Sequence, residues 1–225
     1  ETLEAINASL STAHTQLPRL RYLLLTWGTS YVYHLRETGE VVSNCHKLPE
    51  KLFTRERVDV PSLLHIWTPL LRELLELQPN LQLILTVSPV RHLRDGAHAN
   101  TLSKATLHLF TEELQRLFPD HVHYFPAYEL VLDELRDYRF YAEDMAHPST
   151  LTQRLVAERF VGWALDEPTQ RAFAEAQRIT SELRHRPLHA STEAHTQRLE
   201  RLTARVRDFL SRYPLAKLPL PEPHS

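Results

Sequence analysis

The sequence predicts an α/β domain built on a parallel sheet, and three observations predict it. Two short, almost wholly apolar runs, Arg21–Thr26 (RYLLLT) and Leu81–Val87 (LQLILTV), read as strands covered on both faces. Segments with apolar residues at helical spacing lie between and after them. With a third, shorter strand at His121–Phe125, the order is strand, helix, strand, helix, strand, helix. That alternation gives parallel strands joined by helical crossovers.

Each element has its local reason. Residues 2–17 place Leu3, Ile6, Leu10 and Leu17 on one helical face, and Pro18 ends that helix. Trp27-Gly28-Thr29 breaks the first strand. SYVYHLR and EVVSN flank Glu37-Thr38-Gly39 and read as a β-hairpin with Gly39 at the tight position. Asp59 and Pro61 start a helix whose apolar set includes Leu64, Trp67, Leu71, Leu74 and Leu75, with Pro69 marking a kink or a late start. Gln78-Pro79-Asn80 is a turn. The second strand runs into the loop SPVRHLRDGAH, after which Asn100 is placed to cap a helix over about Thr101–Phe118. Pro126 closes the third strand, YELVLDEL is a short helix, and Thr150 and Gln153 have capping-box spacing for a helix to about Leu165.

From Glu167 to Tyr213 the pattern is helical and highly charged, with a break near Pro187, and the tail is proline-rich. The predicted division is a domain over 1–165, a helical extension over 166–213 and a tail over 214–225.

Composition narrows the function classes. A chain of 225 residues can bury roughly 70% of its unfolded surface. Its 26 basic and 28 acidic side chains nearly cancel, which gives no global field for nucleic acid or acidic lipid. Arg198, Arg201, Arg205 and Arg207 are basic only locally, since Glu193, Glu200 and Asp208 offset them. No apolar run approaches the ~20 residues of a membrane span. One cysteine, Cys45, rules out an internal disulfide and leaves the compartment open, cytoplasmic by default, with no targeting segment visible.

Chemistry concentrates in a few loops. In DMAHPS, Asp144 stands three residues before His147. Such a carboxylate can accept from one ring nitrogen and fix the tautomer, leaving the other nitrogen to take a proton from a nucleophile. The alternative is a surface loop whose Asp and His cap a helix. Ligands of open α/β sheets bind beyond the carboxyl ends of the strands. TWGT, SPVRH and the segment ending in DMAH all follow strands at that end, so the three loops are expected to share one rim.

Four segments carry a family resemblance: TWGTSYVY (26–33), VVSNCHKLP (41–49), LTVSPVRHLRDGAHANTLSKATL (85–107) and YFPAYELVLDELRDYRFYAEDMAHPS (124–149). They resemble the GSCFA domain, which belongs with the SGNH (GDSL-like) hydrolases, over roughly residues 1–190. The resemblance implies a three-layer α/β/α flavodoxin-like fold and ester chemistry by a serine nucleophile. Its D-x-x-H block maps onto Asp144 and His147. The Gly-Ser-Cys-Phe-Ala motif that carries the serine is absent from these residues and would lie upstream of Glu1. The chain would then lack the fold's first two strands, one of them normally central. Where SGNH hydrolases carry an oxyanion-binding asparagine, Gly28-Thr29 is followed by Ser30 and Tyr31, so Asn44, returned by the hairpin, is the substitute.

Gly28 reads either as a glycine that turns the chain off a strand or as a backbone N–H aimed at an oxyanion, with Thr29 assisting. Asn44 reads as a second donor or as a loop-closing Asx turn. Arg91 is expected to pair with a carboxylate from DELRD or to bind an anionic substrate group, with His92 beside it. His92, Asp95 and His98 form the alternative of a metal site, disfavoured by Gly96. Cys45 beside His46 is a poor thiol–imidazole pair, and Ser103 and Lys104 point apart on a helix, with Lys104 facing the cleft. Ser30, Ser43 and Ser88 are the in-chain nucleophile options, none in a strand–turn–helix elbow. Tyr138, Phe140 and Tyr141 could line a sugar-binding face, against a bracing network built on Arg136 and Arg139.

The expected activity is ester hydrolysis or acyl transfer on a small-molecule or glycan-linked acyl ester, with no cofactor and no metal. The rivals are an inactive binding module on the same fold and a metal hydrolase. An unpaired first strand would also leave a sheet edge open to self-association.

Overall fold

The computed structural model describes residues 2–45, 47–184 and 193–219. Helix α1 (Thr2–Gln16) leads through a 3₁₀ turn at Leu17–Arg19 into strand β1 (Tyr22–Trp27). The helical spacing of its apolar residues does not translate into burial. Leu3, Ile6 and Leu10 are all exposed.

Strands β2 (Tyr31–Leu35) and β3 (Val41–Val42) form the expected hairpin, with Gly39 at φ +72° in its turn. Glycine takes that conformation at least steric cost. Strand β4 (Phe53–Arg57) is an element the sequence reading passed over. Its residues Thr-Arg-Glu-Arg carry no apolar run, because the strand lies on a small antiparallel ribbon and needs only Phe53 in a core. β2 is the centre of that ribbon, with Tyr33 opposite Val42 on one side and opposite Arg55 on the other.

Helix α2 (Val60–Leu77) is capped by Asp59, whose carboxylate accepts from the Ser62 N–H at 2.9 Å, a bond of about 1 kcal/mol. It continues through Pro69 without a break in the assigned helix. Strand β5 (Gln82–Val87) follows. Helix α3 (Ala97–Leu117) begins directly after Gly96, three residues before the predicted cap. Asn100 therefore lies inside the helix, and its side chain serves the preceding loop instead. Strand β6 (Val122–Tyr124) is followed by α4 (Ala127–Glu129) and a π-helical turn at Leu130–Leu135, which Arg136 ends at φ +48°. Helix α5 (Thr150–Ala164) is capped by Ser149 rather than by Thr150, the Thr152 N–H donating to the Ser149 hydroxyl at 3.4 Å.

The main sheet has the order β1–β5–β6 with every pair parallel, so the chain is a mixed α/β protein. The register aligns Leu23, Leu25 and Trp27 with Leu83, Leu85 and Val87. All of these but Val87 pack with Leu71 of α2 and with Phe110 and Leu114 of α3. Trp27 meets Trp67 edge-on at 4.8 Å. On the other face Ile84 is buried, whereas Tyr22 and Leu24 of β1 are 62% and 55% exposed. β1 is thus an edge strand with one apolar face open.

The chain divides into two compact units, Glu1–Ala157 and Glu158–Ser225. The second is built on α6 (Glu167–Arg184) and α7 (Glu193–Arg212), which bury Ile179, Leu202, Val206 and Phe209 together. Arg205 pairs with Glu182 at 2.8 Å and Arg212 with Glu175 at 2.6 Å, so these arginines are spent on neighbouring helices. Among the described residues no helix is long and apolar enough to cross a membrane. The predicted break at Pro187 and the end of the tail fall outside the described residues.

Candidate functional site

The sheet ends in three loops, and α3 reaches up beneath two of them. Where β1 stops, the Trp27 carbonyl accepts from the Ser88 N–H at 2.9 Å. Ser103 then fixes the next turn: its hydroxyl accepts from the Ser30 N–H at 2.8 Å and lies 3.0 Å from the Thr29 hydroxyl and 3.1 Å from that of Ser30. Its neighbour Lys104 donates to the carbonyls of Gly28 (2.6 Å) and Ser88 (2.7 Å). Both α3 residues are buried; Ser103 serves the loop after β1, and Lys104 ties that loop to the one after β5. The sequence turns Lys104 toward the cleft; the carbonyls it holds there, and the role of Ser103, come from the fold. Lys104 pays for its depth with a pKa pushed down to about 8 by loss of solvent.

The loop after β5 is held at both ends. The Val90 N–H donates to the Ser88 hydroxyl at 3.2 Å, and the His92 N–H donates to the Asn100 side-chain oxygen at 2.9 Å. A Cβ built on Gly28 would lie 3.5 Å from His92 Nε2. Gly28 does not have positive φ, so the turn itself does not demand glycine; the ring of His92 occupies the adjoining space. Burial, then the charges of Lys104, Arg55 and His147, hold the His92 imidazole below its ordinary pKa, so it is neutral at pH 7.

DMAH folds back on itself. Tyr141 bridges to Pro148, the Ala142 N–H donates to the His147 carbonyl at 2.8 Å, and Met145 sits at φ +56° at the tip. His147 Nδ1 and Asp144 Oδ2 are 2.6 Å apart. The other carboxylate oxygen, Oδ1, accepts from the N–H groups of Ala146 and His147, both at 2.9 Å. These two backbone bonds, followed by the imidazole, lower the Asp144 pKa to about 2. With the acid fixed this way, the imidazole holds its Nδ1 toward the carboxylate and presents Nε2 outward.

Arg91 joins this loop to the one after β5. Its backbone N–H donates to the Ala146 carbonyl at 3.1 Å and its guanidinium to the Met145 carbonyl at 3.0 Å. The expected ion pair with DELRD is not made; the guanidinium instead lies over the rings of Tyr141 and Tyr138. Gly28, Lys104, Ser88, Arg91 and the Asp144–His147 pair therefore form one connected set of loops.

A groove of about 600 Å³ opens from this set toward the antiparallel ribbon, with Thr29 and His92 at one side and Tyr31, Val42, Leu93 and Arg94 among its walls. Ser43 also lines it. Asn44 follows on an exposed loop, and Cys45 is partly buried beside His46, which lies outside the described residues. Of the serine options, Ser30 is buried against Ser103 and Ser88 caps its own turn. Phe140 and Tyr141 are buried, leaving only Tyr138 of the three aromatic residues exposed enough to offer a ring face. Arg139 lies 3.7 Å from the Asp137 carboxylate and over the Phe140 ring, and its backbone N–H donates to Asp137 at 3.0 Å. Asp95 pairs with Arg55, and among the described residues no group of three His, Cys, Asp or Glu side chains is placed to hold a metal ion.

A model of the GSCFA family matches residues 1–160. No curated protein and no solved structure matches the chain.

Proposed function

The chain belongs to the GSCFA family, and from that membership and the geometry of its acid–imidazole pair we propose that it is the acid–base part of an SGNH-like ester hydrolase or acyl transferase. The observation that carries the reading is the Asp144–His147 pair: one carboxylate oxygen fixed by two backbone N–H groups, the other 2.6 Å from the imidazole. In this reading His147 Nε2 takes the proton of a serine hydroxyl as that oxygen attacks the ester carbonyl, then returns it to the leaving alkoxide. Asp144 keeps the tautomer and stabilises the imidazolium. The N–H groups of Gly28 and Thr29 receive the developing oxyanion, with Asn44 as a further donor. Arg91 and His92 shape the substrate side. The nucleophile is the serine of the Gly-Ser-Cys-Phe-Ala motif, which these 225 residues do not contain.

The acyl or alcohol part of the substrate, a small molecule or a glycan-linked acyl group, lies along the groove past Thr29 and His92. The open edge of β1, with Tyr22 and Leu24 exposed, is the surface for self-association in this reading.

A fluorophosphonate probe tests the chemistry on a polypeptide that carries the motif serine. Labelling is expected, and His147→Ala should slow it by roughly 10²–10⁴-fold, the usual contribution of a general base. A folded protein that stays unlabelled sinks the hydrolase reading and supports an inactive binding module on the same fold.

A further inference from the structure

Lys104 is the one charged side chain among the buried described residues, 2% exposed, and no described carboxylate is ion-paired with it. A buried ammonium without a counter-ion is costly, and two carbonyl oxygens solvate it without neutralising it. A neutral donor on α3 could tie the same two carbonyls together. The choice of a cation calls for a reason beyond the tie.

The reason lies in the peptide that Lys104 grips. The Gly28 carbonyl and the Thr29 N–H belong to one trans peptide unit, so they point in opposite directions. With its oxygen turned toward Lys104, the unit presents the Thr29 N–H away from α3. Neither the Gly28 nor the Thr29 N–H donates to a protein acceptor among the described residues. A cation on the oxygen also draws electron density through the amide and makes its N–H a stronger donor, as in any hydrogen-bond chain of low dielectric. We infer that Lys104 is a charge-bearing positioning residue, whose ammonium orients the Gly28–Thr29 peptide and polarises the Thr29 N–H toward an oxyanion or carboxylate ligand. This rests on the reading of that peptide as an oxyanion donor.

The two roles separate by pH. A neutral lysine amine keeps two N–H bonds, enough for both carbonyls, so losing the third proton removes the charge and leaves the tie. The groups that share this charge are His92 in the loop after β5 and His108 one turn further along α3. Burial lowers both imidazoles, with Lys104 adding to it and Glu129 opposing it at His108, so both are neutral above pH 7. Arg55, which acts on His92, and Arg57, which donates to Thr106 of α3, are the arginines of β4 nearby, and a guanidinium is a fixed charge. Lys104 is thus the group of this cluster that changes charge between pH 7 and 9.5.

The test follows the Thr29 amide resonance of the 225-residue chain over that range, together with the side-chain amine signal of Lys104. The Thr29 amide is expected to shift with the same midpoint as Lys104, and Lys104→Met to abolish the shift while circular dichroism stays native. In a polypeptide with the motif serine, Lys104→Met should slow fluorophosphonate labelling about tenfold at pH 7, with part of the rate restored by Lys104→Arg. If Lys104→Met does not fold, the wild-type titration decides alone. A Thr29 amide that ignores the Lys104 titration, or a folded Lys104→Met protein labelled at the wild-type rate, overturns the inference. Loss of labelling in His147→Ala is a separate result, so each reading fails on its own measurement.

Discussion

The guanidinium carbon of Arg91 lies 4.1 Å from the centre of the Tyr141 ring, and among the described residues no carboxylate pairs with that arginine. The contact is cation–π rather than ionic, and the same guanidinium donates to the Met145 carbonyl. Replacing Arg91 with alanine should loosen the DMAH loop by about 1–2 kcal/mol, the sum of one backbone bond and one ring contact. Lysine restores the charge but not the flat stacking surface, so Arg91→Lys should recover only part of it. Amide hydrogen exchange at Ala142, Met145 and Ala146 reads the change directly.

The Asp144 carboxyl, with a folded pKa of about 2 against 3.8 for the ordinary group, favours the folded loop above pH 3.8. That contribution declines as pH falls from there toward 2. A carbonyl ¹³C titration of Asp144 should give a midpoint near 2, and the Ala146 and His147 amide signals should move with it. A midpoint near 4 would mean that the backbone N–H groups do not hold the acid.

Asp144→Asn keeps an oxygen for the two backbone donors but offers an amide N–H to His147 Nδ1, which reverses the tautomer. In the serine-bearing polypeptide, fluorophosphonate labelling should fall by roughly 10²–10⁴-fold with thermal stability little changed. A variant labelled as fast as wild type would return Asp144 to a purely local cap.

Stability should depend on pH through Lys104. Its pKa falls from 10.5 to about 8 on folding, so between those values the unfolded chain binds the extra proton and stability rises with pH. Discounted for partial solvent access, the rise is on the order of 1–2 kcal/mol. Urea denaturation at pH 7 and pH 10 should show wild type gaining on Lys104→Met by that amount.

At Gly28 an added methyl would meet His92 Nε2 at an ordinary van der Waals distance. Gly28→Ala is therefore expected to fold with a loss under about 1 kcal/mol, and to crowd the cleft between His92 and the Gly28 peptide. A larger residue, Gly28→Val, should displace the His92 ring, visible as a shift of its imidazole resonances. An unmoved ring in both variants would leave Gly28 without a role in shaping the cleft.

What could be read in the sequence followed burial. Leu81–Val87 and Arg21–Thr26 announced themselves because strands covered by α2 and α3 need apolar side chains at nearly every position. β4 was silent, since a ribbon strand with charged residues facing water has no such requirement. The start of α3 was misplaced because Asn100 has the chemistry of a cap, yet its oxygen serves the His92 N–H from inside the helix. At the site, Asp144 and His147 were legible because their spacing closes a loop within four residues. Lys104 was legible only as a lysine facing the cleft and Ser103 not at all, because their partners Gly28, Thr29 and Ser30 lie more than seventy residues away, and only the packing of α3 under β1 brings them together.

The groove past Thr29 and His92 takes its outer wall from the β3–β2–β4 ribbon, while the loops beside it spring from the β1–β5–β6 sheet. Each set of strands closes its own hydrogen bonds. Exchanges at Val42 or Tyr31 would therefore reshape the groove while leaving the strand pairing of the β1–β5–β6 sheet intact.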